Sequence, residues 1–321
     1  MELRKLIAFG KATYSITLPK KWVKENALVK GDLILVQEKS PEKLEISPKL
    51  TDQQELIKET TLQVTNKTLE EIKIELISAY INDYSVINLI GDLRGKVGQV
   101  RDMLNELIGL EIMEVSNNKI MAKVFSDVTN THVHHIIRRI SLITKTMFDD
   151  LQSVFHQKGN QEPLAHSDME INRQTFFATR VLTKAIKSAY FRGSIKMELT
   201  ETVFALKVID YQERIADNLK NVARYCVEGC IMKKTSPAHT KKIISFLEQI
   251  DVEYDHAIKA YVTKDKKLAL DVVMDSNDMR AKLREYMKNN CVMPVPYFSG
   301  TLSSLSQLIA DLAMTVYNSE F

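Results

Sequence analysis

The chain has 321 residues, 45% of them hydrophobic and 26% charged, and a formal net charge of +3. This composition excludes wholesale disorder, and the length suffices for two or three domains with buried cores. No apolar run reaches the length of a membrane span, and Glu2 follows Met1, so neither membrane insertion nor a secretory leader is expected.

Residues 1–50 read as a small β-rich unit. Leu3, Ile7 and Phe9 alternate along a first strand that Gly10-Lys11 interrupts. Tyr14, Ile16 and Leu18 then share one face of a second strand, with Thr13, Ser15 and Thr17 on the other. Pro19 suits a helix start, KKWVKENAL supplies about two turns, and Lys30-Gly31-Asp32 stops them. Short strands at Leu33–Val36 and Leu44–Ile46 follow around Pro41. Fifty residues bury little surface alone, so this unit is expected to complete its core in a dimer.

The same unit holds most of the positive field. Residues 1–24 carry Arg4, Lys5, Lys11, Lys20, Lys21 and Lys24 against Glu2, a net +5, which leaves −2 for the remainder of the chain. Fields of this kind attract phosphates. A solvated lysine face and a surface for nucleic acid both fit the segment on charge alone.

Residues 60–125 have the pattern β-α-β-α-β-β. Leu62-Gln63-Val64 is a strand, and Thr68 with Glu71 makes a capping box for a helix through Tyr80. Val86–Ile90 is a strand ending at Gly91, followed by a helix from about Gly95 to Ile108. Strands near 110–115 and 120–125 form a hairpin about Asn117-Asn118.

From Thr129 onward six long helices are expected, near 130–156, 168–191, 196–228, 238–262, 265–289 and 299–319. The breaks fall at Gly159-Asn160 with Pro163, at Gly193, Gly229 and Pro237, and at Pro294/Pro296. Ile215-Ala216-Asp217 recurs in register as Ile309-Ala310-Asp311, which reads as three helices repeated.

Two rows of acids stand out. Asp210, Glu213 and Asp217 share one helical face, and Asp271, Asp275 and Asp278 share another. Such rows on adjacent helices can gather cations, although a solvated acidic face is the commoner meaning of any single row. His132 and His135 could share a face at a helix start, where polar residues are ordinary, and they are not taken as ligands. Cys226, Cys230 and Cys291 have no zinc-ribbon spacing and suit reduced thiols in a cytoplasm. No catalytic triad, phosphate-cradling glycine loop or nucleophile elbow is present, so no enzymatic activity is expected.

GKATYSITLPKKWVKENALVKGD, Gly10 to Asp32, resembles the swapped-hairpin DNA-binding module of the SpoVT/AbrB family, a likeness covering essentially all of residues 1–50. Asp168-Met-Glu-Ile-Asn172-Arg173, Glu213-Arg-Ile-Ala-Asp217 and Ile309-Ala-Asp311 make residues 129–321 resemble PhoU, the negative regulator of phosphate uptake. The combination resembles the archaeal PhoU-like regulators. The fold class implied is multidomain: a small swapped-hairpin β-barrel at 1–50, an α/β connector at 60–125, and an all-α PhoU-like domain at 129–321. Its two three-helix repeats would span about 129–228 and 238–321.

The first resemblance implies an intertwined homodimer whose basic face lies on DNA. Arg4, Lys5, Lys11, Lys20 and Lys21 would contact phosphates or the groove, and Thr13 and Ser15 would donate hydrogen bonds to the backbone. Lys11 stands where several members carry arginine and lacks the bidentate fork to guanine, so affinity is expected before sequence readout. The second resemblance implies metal (iron, zinc, manganese or magnesium) on Glu/Asp-x-x-x-Asp motifs. Asp168, Asp210, Glu213 and Asp217 would serve the first repeat, and Asp275, Asp278 and Asp311 the second. The motifs are incomplete: Asn172 and Gln307 stand where acids are expected. The function implied is a cytoplasmic, DNA-binding transcriptional regulator of phosphate uptake. The rival reading is a regulator that docks on a phosphate ABC transporter ATPase or a sensor protein, its first module serving only to dimerise.

Overall fold

The computed structural model describes residues 3–9, 13–40, 43–48, 58–125, 132–156, 160–228 and 235–319. The Gly10-Lys11 interruption, Pro41, Gly159 and the Gly229-Cys230 break lie outside the described residues. Two compact units are present, Met1–Ile57 and Lys58–Phe321. The chain is mostly helical, with small sheets at its amino-terminal end and one mixed sheet.

In the first unit, β1 (Ile7–Phe9) pairs antiparallel with β2 (Thr13–Ser15), α1 spans Lys20–Glu25, and β3 (Ile34–Ser40) pairs antiparallel with β4 (Lys43–Pro48). Pro19 is the N-cap residue of α1, so the helix begins at Lys20, one position after the expected start at Pro19. None of the residues whose burial is described in this unit is buried, and Leu3, Phe9, Tyr14, Val29 and Leu44 are each more than half exposed.

The second unit begins with a four-stranded sheet of order β5-β6-β8-β7. It comprises β5 (Glu59–Gln63), β6 (Val86–Ile90), β7 (Leu110–Val115) and β8 (Lys119–Val124). β5 and β6 run parallel, and β8 is antiparallel to both β6 and β7. Helices α2 (Leu69–Ile81) and α3 (Val97–Asn105) supply the crossovers. Ile87, Leu89, Ile120 and Ala122 meet Ile72, Leu76, Val100 and Leu104 in one apolar cluster, because strand alternation sends one set of side chains toward the helices. The capping box at α2 forms as expected: Thr68 Oγ1 accepts from the Glu71 amide and Glu71 Oε2 accepts from the Thr68 amide at 2.7 Å. Gly91 has φ +134°, and a Cβ there would lie 2.4 Å from Thr65 Oγ1, so the strand-to-loop turn requires glycine.

The helices are α4 (Val133–Phe155), α5 (Glu162–Lys187), the short α6 (Ala189–Ser194), α7 (Leu199–Glu228), α8 (Pro237–Thr263), α9 (Lys266–Asn289) and α10 (Val295–Tyr317). Two starts differ from expectation for one reason. Pro163 and Pro296 sit in the first turns of α5 and α10, where an amide has no intrahelical acceptor, so the helices begin at 162 and 295 instead of 168 and 299. α4, α5 and α7 pack together, as do α8, α9 and α10, and the triplets meet through α4 on α8 and α7 on α10. Ile215, Ala216, Ile309 and Ala310 are all buried, so the repeated Ile-Ala pair is a packing repeat.

The sheet layer is fastened to this array by Arg180 on α5. Arg180 is 3% exposed, its guanidinium pairs with Asp83 Oδ1 at 2.9 Å, and it donates to the Tyr84 carbonyl at 3.0 Å and to the Tyr80 carbonyl. The guanidinium also lies 5.0 Å from the centre of the Tyr80 ring.

Candidate functional sites

The basic surface belongs to the first unit. Arg4, Lys5, Thr13, Ser15, Lys20 and Lys21 are all exposed, whereas Lys11 lies outside the described residues. Lys21 has Glu25 3.8 Å away on the next turn of α1, a pair whose side chains are 88% and 62% exposed and which water screens. The hairpin register aligns Phe9 with Thr13 and Ile7 with Ser15. Directly opposed residues share a face, so Thr13 and Ser15 emerge beside apolar neighbours instead of forming a wholly polar face.

The expected metal residues fall into four places. Asp168 on α5 and Asp217 on α7 converge, but on a lysine. Lys220 Nζ lies 2.8 Å from Asp168 Oδ2 and 2.6 Å from Asp217 Oδ1. Burial works against the Lys220 charge, yet its bonds to the two carboxylates outweigh this and hold its pKa above the ordinary lysine value. Asn172 adds a bond to Asp168 Oδ2 at 3.3 Å. Glu213 belongs to the same electrostatic group. Burial, reinforced by the negative charges of Asp217, Asp210 and Asp168 and only partly offset by Lys220, raises its pKa to about 7.

Asp210 stands apart from the lysine, 3.7 Å from Arg214 on the solvent side of α7. Asp311 on α10 accepts from Gln307 Nε2 at 2.8 Å, so the amide that replaces the first acid of the repeat occupies one carboxylate oxygen. Asp275 and Asp278 are exposed on α9 and line a groove of about 430 Å³ against Glu248 and His256 of α8. Beside them the buried Glu253 accepts from Ser276 at 2.9 Å and Ser306 at 3.0 Å, tying α8, α9 and α10 together.

Among the described residues no group of three or more His, Cys, Asp and Glu side chains is placed to hold a metal ion. The donor chemistry at Asp168, Glu213 and Asp217 explains why in the first repeat: an ammonium already stands between two of the carboxylates. As arranged, these residues do not fit a bound dication. The rings of His132 and His135 lie 5.1 Å apart at a tilt of 49°, and His134 instead reaches Glu201 at 3.3 Å and Tyr261 at 3.2 Å.

Lys220, Glu253 and Arg180 are the site residues that sequence reasoning missed. Lys220 was within reach of it, because Glu213, Asp217 and Lys220 are spaced four and three on one helix. Glu253 and Arg180 carried no such signal, since their partners lie on other helices or in the sheet layer.

No helix among the described residues is long and apolar enough to cross a membrane. No family model, curated protein or solved structure matches this chain.

Proposed function

We propose that this chain is a DNA-binding regulator of phosphate uptake or homeostasis, built from a SpoVT/AbrB-like dimerisation and DNA-binding unit and a PhoU-like helical array. The observation that carries the reading is the character of the first unit. It combines a concentrated positive charge, displayed on exposed side chains, with large apolar residues that find no core within one copy. A second copy of the unit would bury Leu3, Phe9, Tyr14 and Leu44 and set two basic surfaces side by side, which suits the phosphates of a duplex.

Phosphate as the signal rests on the resemblance of the helical region. Metal enters the reading in a restricted form: a dication at Asp168, Glu213 and Asp217 has to displace the Lys220 ammonium.

The test is a mobility shift with the full chain on duplex DNA across a salt series. Binding is expected to weaken steeply with salt, because neutralised phosphates release counterions. Lys11→Gln/Lys20→Gln/Lys21→Gln is expected to weaken binding to any duplex. Unchanged binding by that triple variant overturns the assignment, and absence of DNA binding by the wild type turns the first unit into a dimerisation element alone.

A further inference from the structure

The two edges of the mixed sheet are unequal. β7 carries Glu111 and Glu114 and an irregular register between Ile112 and Glu114, all of which discourage a further strand. β5 is Glu-Thr-Thr-Leu-Gln, regular over its whole length, with no proline, lysine or bulge. Among the described residues its sole strand neighbour is β6. The Lys58 carbonyl and the Val64 amide bond toward β6, so by alternation Thr60 and Leu62 do the same. Glu59, Thr61 and Gln63, all exposed, direct their amides and carbonyls outward.

Beside this edge runs a groove of about 560 Å³ between β5 and α2. Leu62, Ile74 and Ala79 give it an apolar floor, and Ile74 is 59% exposed although it lies mid-helix. The ends of the groove differ in charge. Lys58 and Lys187 line one end, where Lys187 reaches Asn82 at 3.4 Å, and beyond the other lies the first turn of α2, where Glu70, Glu71 and Glu75 outnumber Lys67 and Lys96.

We propose that β5 is a second interface between copies of this chain, pairing antiparallel with β5 of another copy across a two-fold axis at Thr61. In this register Thr61 faces Thr61 of the second copy and Glu59 faces Gln63, so no like charges oppose each other. Each of these pairs exchanges two backbone hydrogen bonds, since the residues concerned are those with outward-facing amides and carbonyls. Thr60 and Leu62 meet on the groove side, where Ile74 from each copy closes the apolar floor. The two-fold also lays the basic end of each groove beside the acidic first turn of the other α2. This charge complementarity between identical surfaces favours a second copy over an unrelated peptide, and the interface joins two sheets into one of eight strands. It is independent of the DNA-binding reading.

The experiment uses the full chain with Cys230→Ser and Cys291→Ser to remove competing thiols. In that background Thr61→Cys is expected to form a covalent dimer on mild oxidation, because a directly opposed pair places its Cα atoms about 5.5 Å apart, within disulfide reach. Gln63→Cys, displaced from the axis, is expected to cross-link at least ~10-fold more slowly, since it gains no high effective concentration. The double variant Glu59→Cys/Gln63→Cys regains the dimer. Adding Ile74→Glu to Thr61→Cys is expected to abolish the cross-link while circular dichroism stays unchanged. If Thr61→Cys cross-links no faster than Gln63→Cys, the interface does not exist. A Thr61→Cys dimer indifferent to Ile74→Glu also overturns the proposed register.

Discussion

Asp83 and Arg180 form an ion pair at 2.9 Å with the arginine side chain 4% exposed and the aspartate 13%. Asp83 closes the turn after α2 at φ +70°, and Arg180 lies in the carboxy-terminal half of α5, so the pair joins the sheet layer to the helical array alongside the Arg173 bond to the Glu106 carbonyl and the packing of Phe176. A half-removed buried pair leaves a charge without compensation, which is far worse than replacing both partners. Arg180→Leu strands Asp83 and two carbonyls and is expected to cost about 3 kcal/mol. The measurement is the midpoint of chemical unfolding, and a midpoint within error of wild type would contradict the role. Asp83→Asn is expected to cost less, because the carbonyl bonds to Arg180 persist.

Glu213 gives the fold a pH dependence of a particular sign. Its pKa is about 7 in the folded chain against the ordinary 4.5, so the folded state prefers the protonated acid. Below pH 4.5 both states are protonated and Glu213 costs nothing. As pH rises from 4.5 through 7 the folded chain is progressively destabilised relative to the unfolded one. Glu213→Gln removes this effect, so its gain in melting temperature over wild type is expected to be small at pH 5 and larger at pH 8. A gain independent of pH would show that Glu213 does not titrate in this range.

Lys220 is expected to compete with metal. Lys220→Met removes the ammonium and leaves Asp168, Glu213 and Asp217 in mutual repulsion, which a dication relieves. Calorimetric titration with manganese should show tighter binding in this variant than in wild type. The same variant without metal is expected to be less stable at pH 8, and the deficit should shrink at pH 4 as the carboxylates protonate. Equal and negligible manganese binding by both proteins would leave the acids as a purely structural cluster.

Gly91→Ala is expected to destabilise the sheet layer by about 2 kcal/mol, within the usual range for a residue forced into a left-handed backbone. Its Cβ would also meet Thr65 Oγ1 at 2.4 Å and the Thr65 amide at 2.8 Å, which backbone movement alone relieves. The Gly91→Ala/Thr65→Ala double variant should recover only part of the loss, and full recovery would mean that the hydroxyl contact was the whole cost. Hydrogen exchange at Val64 and Leu89 reports the local opening.

The sequence by itself determined the elements whose physics is local. The α2 capping box needs only residues three apart, and β6 at Val86–Ile90 needs only its own apolar run and the glycine that ends it. The Ile-Ala-Asp repeat likewise marked two packing positions, since helical periodicity is a short-range property. Proline misled in one direction at both Pro163 and Pro296, because a first-turn proline and a helix-breaking one look alike until the helix is seen. What the tertiary structure decided is which charges meet. Asp168 and Lys220 are 52 positions apart and Arg180 and Asp83 are 97 apart, and no periodicity encodes such pairs. Spacing put Asp210, Glu213, Asp217 and Lys220 on one helix, but packing against α5 decided that Asp168 joins Asp217 on the Lys220 ammonium while Asp210 stays with Arg214 at the surface. Burial then set the protonation of Glu213, since desolvation depends on what the neighbouring helices cover and not on the residue's place in its own helix.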